Sequence, residues 1–72
     1  MTRYLLRRND RLYIASGFAN YMQHGAELLG ELPDNAIGIG YYNSGQLREI
    51  IDEKVRSTKQ RLDSWKRLRR KI

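Results

Sequence analysis

The chain has 72 residues, a length that fits one domain with a small hydrophobic core. It contains no Cys and one His, so disulfides, thiolate metal sites and imidazole clusters are excluded as sources of stability. The formal net charge is +6, and residues 43–72 carry all of the excess, with ten basic and four acidic residues. We therefore expect an anionic partner, namely nucleic acid, an anionic membrane surface or an acidic protein.

Residues 1–72 are expected to form a single domain, with a sheet-forming part over 1–42 and a helix over 43–72. No run of about 18 apolar residues is present, so we expect no transmembrane helix. The first residues lack the apolar segment of a signal peptide, and the absence of Cys fits a reducing compartment. We expect a cytoplasmic protein without a metal or another cofactor.

Residues 3–16 are predicted to form a β-hairpin around the dipeptide Asn9-Asp10, since both residue types tolerate a positive φ in tight turns. A two-residue turn sets the register, so that Leu6 opposes Tyr13. The tip of this hairpin gathers Arg7, Arg8 and Arg11. These arginines are candidates for contact with nucleic acid, although charge near a strand edge also deters aggregation.

Residues 16–32 allow two interpretations. Ser16 could cap a helix that carries Phe18, Tyr21 and the leucines up to Leu32 on one face. Alternatively the helix breaks near His24-Gly25, because glycine destabilises a helix interior by about 1 kcal/mol relative to alanine, or residues 18–22 begin the segment in an extended conformation. A turn is predicted next, at Pro33-Asp34-Asn35.

Residues 36–42 are predicted to form a strand that places Ile37 and Ile39 on one face. Gly38 and Gly40 alternate with them, which predicts that the C-terminal helix approaches the strand closely. The expected core consists of Ile37, Ile39 and the hairpin on one side and Leu47, Ile51, Val55 and Leu62 on the other.

The last third of the chain is predicted to form one continuous helix from Gln46 to Ile72, capped by Asn43 or Ser44. Such a helix would be about 40 Å long and would outrun the rest of the domain. Basic residues occupy the sector beside its apolar line. We predict that nucleic-acid phosphates are contacted by Arg56, Lys59, Lys66, Arg67, Arg70 and Lys71.

Three apolar residues at the far end of this helix are predicted to form an interface: Leu62, Trp65 and Ile72. Leaving a Trp exposed would forgo burial energy that a small domain needs, so we expect Trp65 to lie against a second chain. That chain would be an identical subunit, giving a homodimer, or a target protein. A parallel coiled coil is disfavoured because it would bring Lys54 near Lys59 of its partner.

Enzymatic activity is not expected. Gly38-Ile39-Gly40 precedes a helix, but the third glycine of a nucleotide-binding G-x-G-x-x-G motif is replaced by Asn43. His24 has no nucleophile or acid that the sequence identifies as its partner.

The sequence thus predicts an α+β domain of order ββαβα, with a three-stranded sheet, one short helix and one long basic helix. The leading functional hypothesis is a small DNA- or RNA-binding protein that grips phosphates through its C-terminal helix. The alternative is a non-enzymatic protein–protein regulator, an inhibitor or adaptor that docks this helix on an acidic surface of a larger protein.

Overall fold

The computed structural model describes residues 2–33, 35, 37–57 and 62–72. Four strands and three helices lie in these ranges: β1 (Tyr4–Arg8), β2 (Arg11–Ala15), α1 (Ala19–Gln23), β3 (Glu27–Glu31), β4 (Gly40–Tyr42), α2 (Ser44–Ser57) and α3 (Leu62–Lys71). The α+β class is confirmed. The predicted order ββαβα is wrong, because it lacks one strand and merges α2 with α3.

The β1–β2 hairpin has the predicted register, with Leu5 opposite Ile14 and Leu6 opposite Tyr13. Asn9 adopts a φ of 56° in the turn, which is the conformation that its residue type tolerates. Because side chains alternate along a strand, Leu5 and Ile14 point to one face of the sheet and Leu6 and Tyr13 to the other. Both faces are buried, so the sheet is covered on two sides.

Residues 27–31 form the strand that the three-stranded prediction lacked. The sheet is antiparallel, in the order β3-β1-β2-β4. α1 ends after Gln23, and Gly25 adopts a φ of 87° before the chain enters β3. The break near His24-Gly25 is therefore confirmed, and the helix through Leu32 is wrong. An extended conformation over residues 18–22 is also wrong, because α1 occupies Ala19–Gln23. Edge pairing with β1 supplies the hydrogen bonds that a longer helix would have made internally.

The strand predicted over residues 36–42 is reduced to β4, Gly40–Tyr42; Ala36, at its predicted start, lies outside the described residues. Ile37 is buried in the core, whereas Ile39 is 58% exposed. Arg3 donates hydrogen bonds to the carbonyl oxygens of Asn35 and Ile37, which fixes this segment against β1. The expectation that Ile39 belongs to the core is wrong, because the segment reaches the sheet only at Gly40.

The predicted single helix is two antiparallel helices. Asn43 caps α2, since its Oδ1 accepts a hydrogen bond from the Gln46 amide at 2.7 Å. Arg69 of α3 forms an ion pair with Asp52 of α2 at 2.9 Å. Arg48, near the start of α2, donates to the carbonyl oxygen of Ile72. The longest dimension of the molecule is 36 Å. A single straight helix of about 40 Å that outruns the domain is therefore not formed.

The main core lies between the sheet and the α2–α3 pair. Leu5 and Ile14 meet Leu47 and Ile51 of α2 there, as predicted, and Val55 packs at the margin. Trp65 of α3 is 0% exposed in the same cluster. A second, smaller cluster on the opposite face contains Leu6, Tyr13, Ala15 and Ala26. We call this opposite face the outer face.

Close approach by a helix occurs at Gly30 of β3 and not at the glycines that the sequence indicated. A Cβ at Gly30 would lie 2.9 Å from Cδ2 of Leu68 on α3. Among the described residues, a Cβ at Gly40 would meet no atom within 4 Å, and one at Gly38 would meet only the Tyr42 hydroxyl. The prediction for Gly38 and Gly40 is therefore wrong, since α3 docks on the β3 edge of the sheet.

Candidate nucleic-acid interface

The division into two helices separates the charges of the C-terminal third. α2 carries three basic and three acidic residues and is neutral. α3 carries five basic residues and one acid, Asp63. The positive excess is therefore concentrated on a helix of 10 residues.

Three predicted contact residues share the solvent-exposed side of α3: Lys66, Arg67 and Arg70. They have no hydrogen-bond or ion-pair partner among the described residues. The other two cations of α3 are engaged. Arg69 pairs with Asp52, and Lys71 donates from Nζ to the Leu29 carbonyl oxygen at 2.8 Å. We refer to Lys66, Arg67 and Arg70 as the α3 basic face.

The predicted basic ridge along one straight helix is wrong. Arg56 lies near the end of α2, on a different helix from the α3 basic face, and pairs with Glu53 at 2.9 Å. This hydrogen bond and the charge of Glu53 raise the pKa of Arg56. Asp52, four residues before Arg56, pairs instead with Arg69 of α3. Lys59 lies outside the described residues.

The hairpin arginines divide between the two faces of the sheet. Arg7 points toward the helices and donates from Nη2 to the Lys71 carbonyl oxygen at 2.7 Å. Arg8 and Arg11 are opposite each other on the outer face and are exposed. The three arginines lie beside the turn, as the sequence indicates, but they do not share one face, because neighbouring residues of a strand alternate sides.

The hydrogen bond from Arg7 places the C-terminal end of α3 beside the hairpin tip. Arg48 approaches the same end through its hydrogen bond to Ile72. The C-terminal end of α3 and the hairpin tip, two basic segments distant in sequence, therefore lie at one end of the molecule.

A row of three tyrosines occupies the outer face beside these arginines. Tyr13 is at the centre, with ring centroids 4.9 Å from Tyr21 and 5.5 Å from Tyr41. Tyr13 is buried, whereas Tyr41 is 73% exposed. A cleft of about 450 Å³, which we call the outer cleft, is lined by the three tyrosines together with Arg8, Arg11 and His24.

The outer cleft was not predicted from the sequence. The predicted hairpin register already placed Arg8, Arg11 and Tyr13 on one face, which was a usable signal. The position of Tyr41 beside Tyr13 depends on the pairing of β4 with β2, and that pairing joins segments distant in sequence.

Burial raises the pKa of Tyr13 above its ordinary value of 10.0. The neighbouring phenols of Tyr21 and Tyr41 act in the same direction, while the positive charge of Arg8 opposes them. Tyr13 is therefore a neutral phenol at physiological pH, and the positive charge of the cleft comes from its arginines.

The predicted interface residues have a different role from the one expected. Trp65 is buried within its own chain, so the expectation that it needs a second chain is wrong. Ile72 is partly buried against the same core. Leu62 begins α3, and its side chain lies outside the described part of the chain. The reversal between the helices brings Trp65 back onto the sheet, which a straight helix would not have done.

The described residues carry neither a cluster of metal ligands nor a membrane-spanning helix. No three His, Cys, Asp or Glu side chains converge there to hold a metal ion. None of the helices formed by these residues combines the length and apolar character needed to cross a bilayer. Comparison with known proteins found no matching family model, no similar curated protein and no similar solved structure.

Proposed function

We propose that this protein is a non-enzymatic nucleic-acid-binding protein whose α3 basic face contacts phosphates. The observation that carries the proposal is the presence on α3 of three exposed cations that have no partner among the described residues, while the neighbouring α2 is neutral. Lys and Arg on one helix face bind a nucleic-acid backbone by releasing its condensed counterions. Such contacts position a protein on the polymer without reading its sequence.

A solvated helix face explains this arrangement less well. Cations near a helix C-terminus interact favourably with the helix dipole, which accounts for Arg70. Lys66 and Arg67 lie in the middle of α3, where that effect has faded. Lys66 and Arg70 are four residues apart, about 6 Å along the axis, and like charges at this spacing destabilise a helix. A bound polyanion would offset that repulsion.

Binding can be tested by fluorescence anisotropy with a labelled duplex and two variants of equal charge. Lys66→Gln with Arg70→Gln removes two charges from the α3 basic face, and Lys54→Gln with Arg56→Gln removes two from α2. We expect wild-type affinity to fall roughly tenfold or more between about 50 and 200 mM salt. The α3 variant should bind more weakly at low salt. Its salt slope, which is the slope of log affinity against log salt concentration, should be shallower by about 2, whereas the α2 variant should resemble wild type.

Thermal melts of both variants would show that each remains folded. Equal loss of affinity in the two variants would show that diffuse charge, and not α3, drives binding. Failure of the wild-type protein to bind at about 50 mM salt would reject the proposal.

A protein–protein regulator is the second candidate. It is favoured by exposed apolar side chains on the outer face, including Phe18, Met22 and Ile39. Exposed apolar patches often mark protein-binding surfaces. In this case a complex with an acidic target protein would survive nuclease digestion, and the purified protein would not bind the labelled duplex.

A further inference from the structure

We propose that the outer cleft binds a single-stranded segment of nucleic acid, with bases stacked on Tyr41 and Tyr21 and phosphates contacted by Arg8 and Arg11. This inference rests on the proposed function and adds to it the form of nucleic acid and the place of its bases. It concerns the outer face of the sheet, opposite the face that packs on α2 and α3.

The tyrosine row provides a fixed stacking platform. Tyr13 is buried and contacts both neighbours, so it holds Tyr21 and Tyr41 at a defined spacing. Tyr21 is 38% exposed and Tyr41 is 73% exposed, which leaves ring surface for a ligand. Base–aromatic stacking tolerates every base, because each base has a π face.

The charges around the cleft favour an anion. Arg8 and Arg11 are directly opposite each other on adjacent strands, where like charges repel. Neither has a hydrogen-bond or ion-pair partner among the described residues, and no Asp or Glu of that part lines the cleft. A phosphate between the two guanidinium groups would relieve the repulsion with charge-assisted hydrogen bonds.

The surface around Tyr41 is larger than one nucleotide. A second cleft of about 310 Å³ lies on the other side of Tyr41 and shares both Tyr41 and Arg11 with the outer cleft. Asp10 also lines this second cleft, together with the amides of Asn43 and Gln46. A polymer could therefore cross Tyr41 from one cleft to the other, whereas a mononucleotide would occupy only one of them.

Unpaired bases fit this surface better than a duplex does. Bases in a duplex stack on one another, so their faces cannot reach a protein aromatic ring. Asn20 and His24 at the cleft wall can exchange hydrogen bonds with the exposed edges of a single-stranded base. The α3 basic face contains no aromatic residue, so it offers contacts to phosphates but no surface on which a base can stack.

The test compares a labelled single-stranded 12-mer with a duplex of equal length, by anisotropy at about 50 mM salt. The variants are Tyr41→Ala, Tyr41→Phe and the matched control Phe18→Ala, which removes an exposed aromatic outside the outer cleft. We expect Tyr41→Ala to weaken single-strand binding by about five- to a hundredfold and to leave duplex binding nearly unchanged. Tyr41→Phe and Phe18→Ala should both remain near wild type.

Replacement of Arg8 and Arg11 by Gln should reduce the salt slope by about 2 for the single strand only. Tyr41→Ala with wild-type affinity for the single strand would overturn the inference, as would equal loss on both forms. If duplex binding then still depends on Lys66 and Arg70, the proposed function stands and only the stacking site is rejected. If neither nucleic acid binds the wild-type protein, both proposals are rejected.

Discussion

Tyr13 links the packing of the outer face to the chemistry of its cleft. Its side chain closes the smaller core against Leu6 and Ala15, while its ring supports Tyr21 and Tyr41. Because burial raises its pKa above 10.0, the folded chain holds the phenol proton more tightly than the unfolded chain does. The resulting stabilisation is present below pH 10 and is lost as pH rises above the ordinary tyrosine value.

Tyr13→Phe should therefore reduce the loss of stability at alkaline pH. We expect the melting temperature of the wild-type protein to fall more between about pH 9 and pH 11 than that of Tyr13→Phe. Tyr41→Phe is the matched control. Because Tyr41 is largely exposed and makes the smallest contribution to the raised pKa of Tyr13, this change should alter the profile much less than Tyr13→Phe does. If the melting temperatures of wild type and Tyr13→Phe fell equally over this pH range, Tyr13 would not contribute to the loss of stability at alkaline pH.

The α2–α3 pair is stabilised mainly by its shared apolar face. Leu47 and Ile51 of α2 and Trp65 and Leu68 of α3 enter one core with the sheet. The interhelical ion pair between Arg69 and Asp52 is about 40% exposed on both sides. Half-exposed pairs of this kind contribute about 0–1 kcal/mol, so this pair sets the alignment of the helices more than their stability.

Gly30 should be sensitive to the addition of a single methyl group. A Cβ there would crowd Leu68, which is buried and has little space to move. We expect Gly30→Ala to lower the free energy of unfolding by about 1–3 kcal/mol, measured by urea denaturation. Gly17→Ala is the control, because a Cβ at Gly17 meets no atom within 4 Å.

Coupling between Gly30 and Leu68 can be measured directly. Leu68→Ala should cost less in the Gly30→Ala background than in the wild-type chain, since the shorter side chain relieves the contact. Additive effects would show that α3 does not dock on β3 through this pair.

At the scale of the whole molecule, the reason to expect a homodimer from Trp65 disappears. One chain buries this side chain completely. We expect blue-shifted Trp65 emission that stays constant between about 1 and 100 μM, because its burial does not depend on association. Trp65→Ala should cost about 3–5 kcal/mol and could unfold so small a domain. A red shift on dilution would mean that a second chain completes the core.

The sequence by itself determined the features that depend on neighbouring residues. Alternation around Asn9-Asp10 predicted the hairpin register, and Asn43 identified the start of α2. The basic excess after residue 43 follows directly from composition. These features are predictable because turn conformation, capping hydrogen bonds and charge involve residues only a few positions apart.

Only the tertiary structure decided how the distant segments combine. The helical spacing of the apolar residues is compatible with one long helix and with two shorter ones. In both α2 and α3 the apolar side packs against the sheet, through Leu47 and Ile51 of α2 and Trp65 and Leu68 of α3. The reversal is favoured because it buries Trp65 without a partner. Likewise, edge pairing made residues 27–31 a strand, and pairing of β4 with β2 placed Tyr41 beside Tyr13. Long-range burial and strand pairing decide such choices, and no local pattern encodes them.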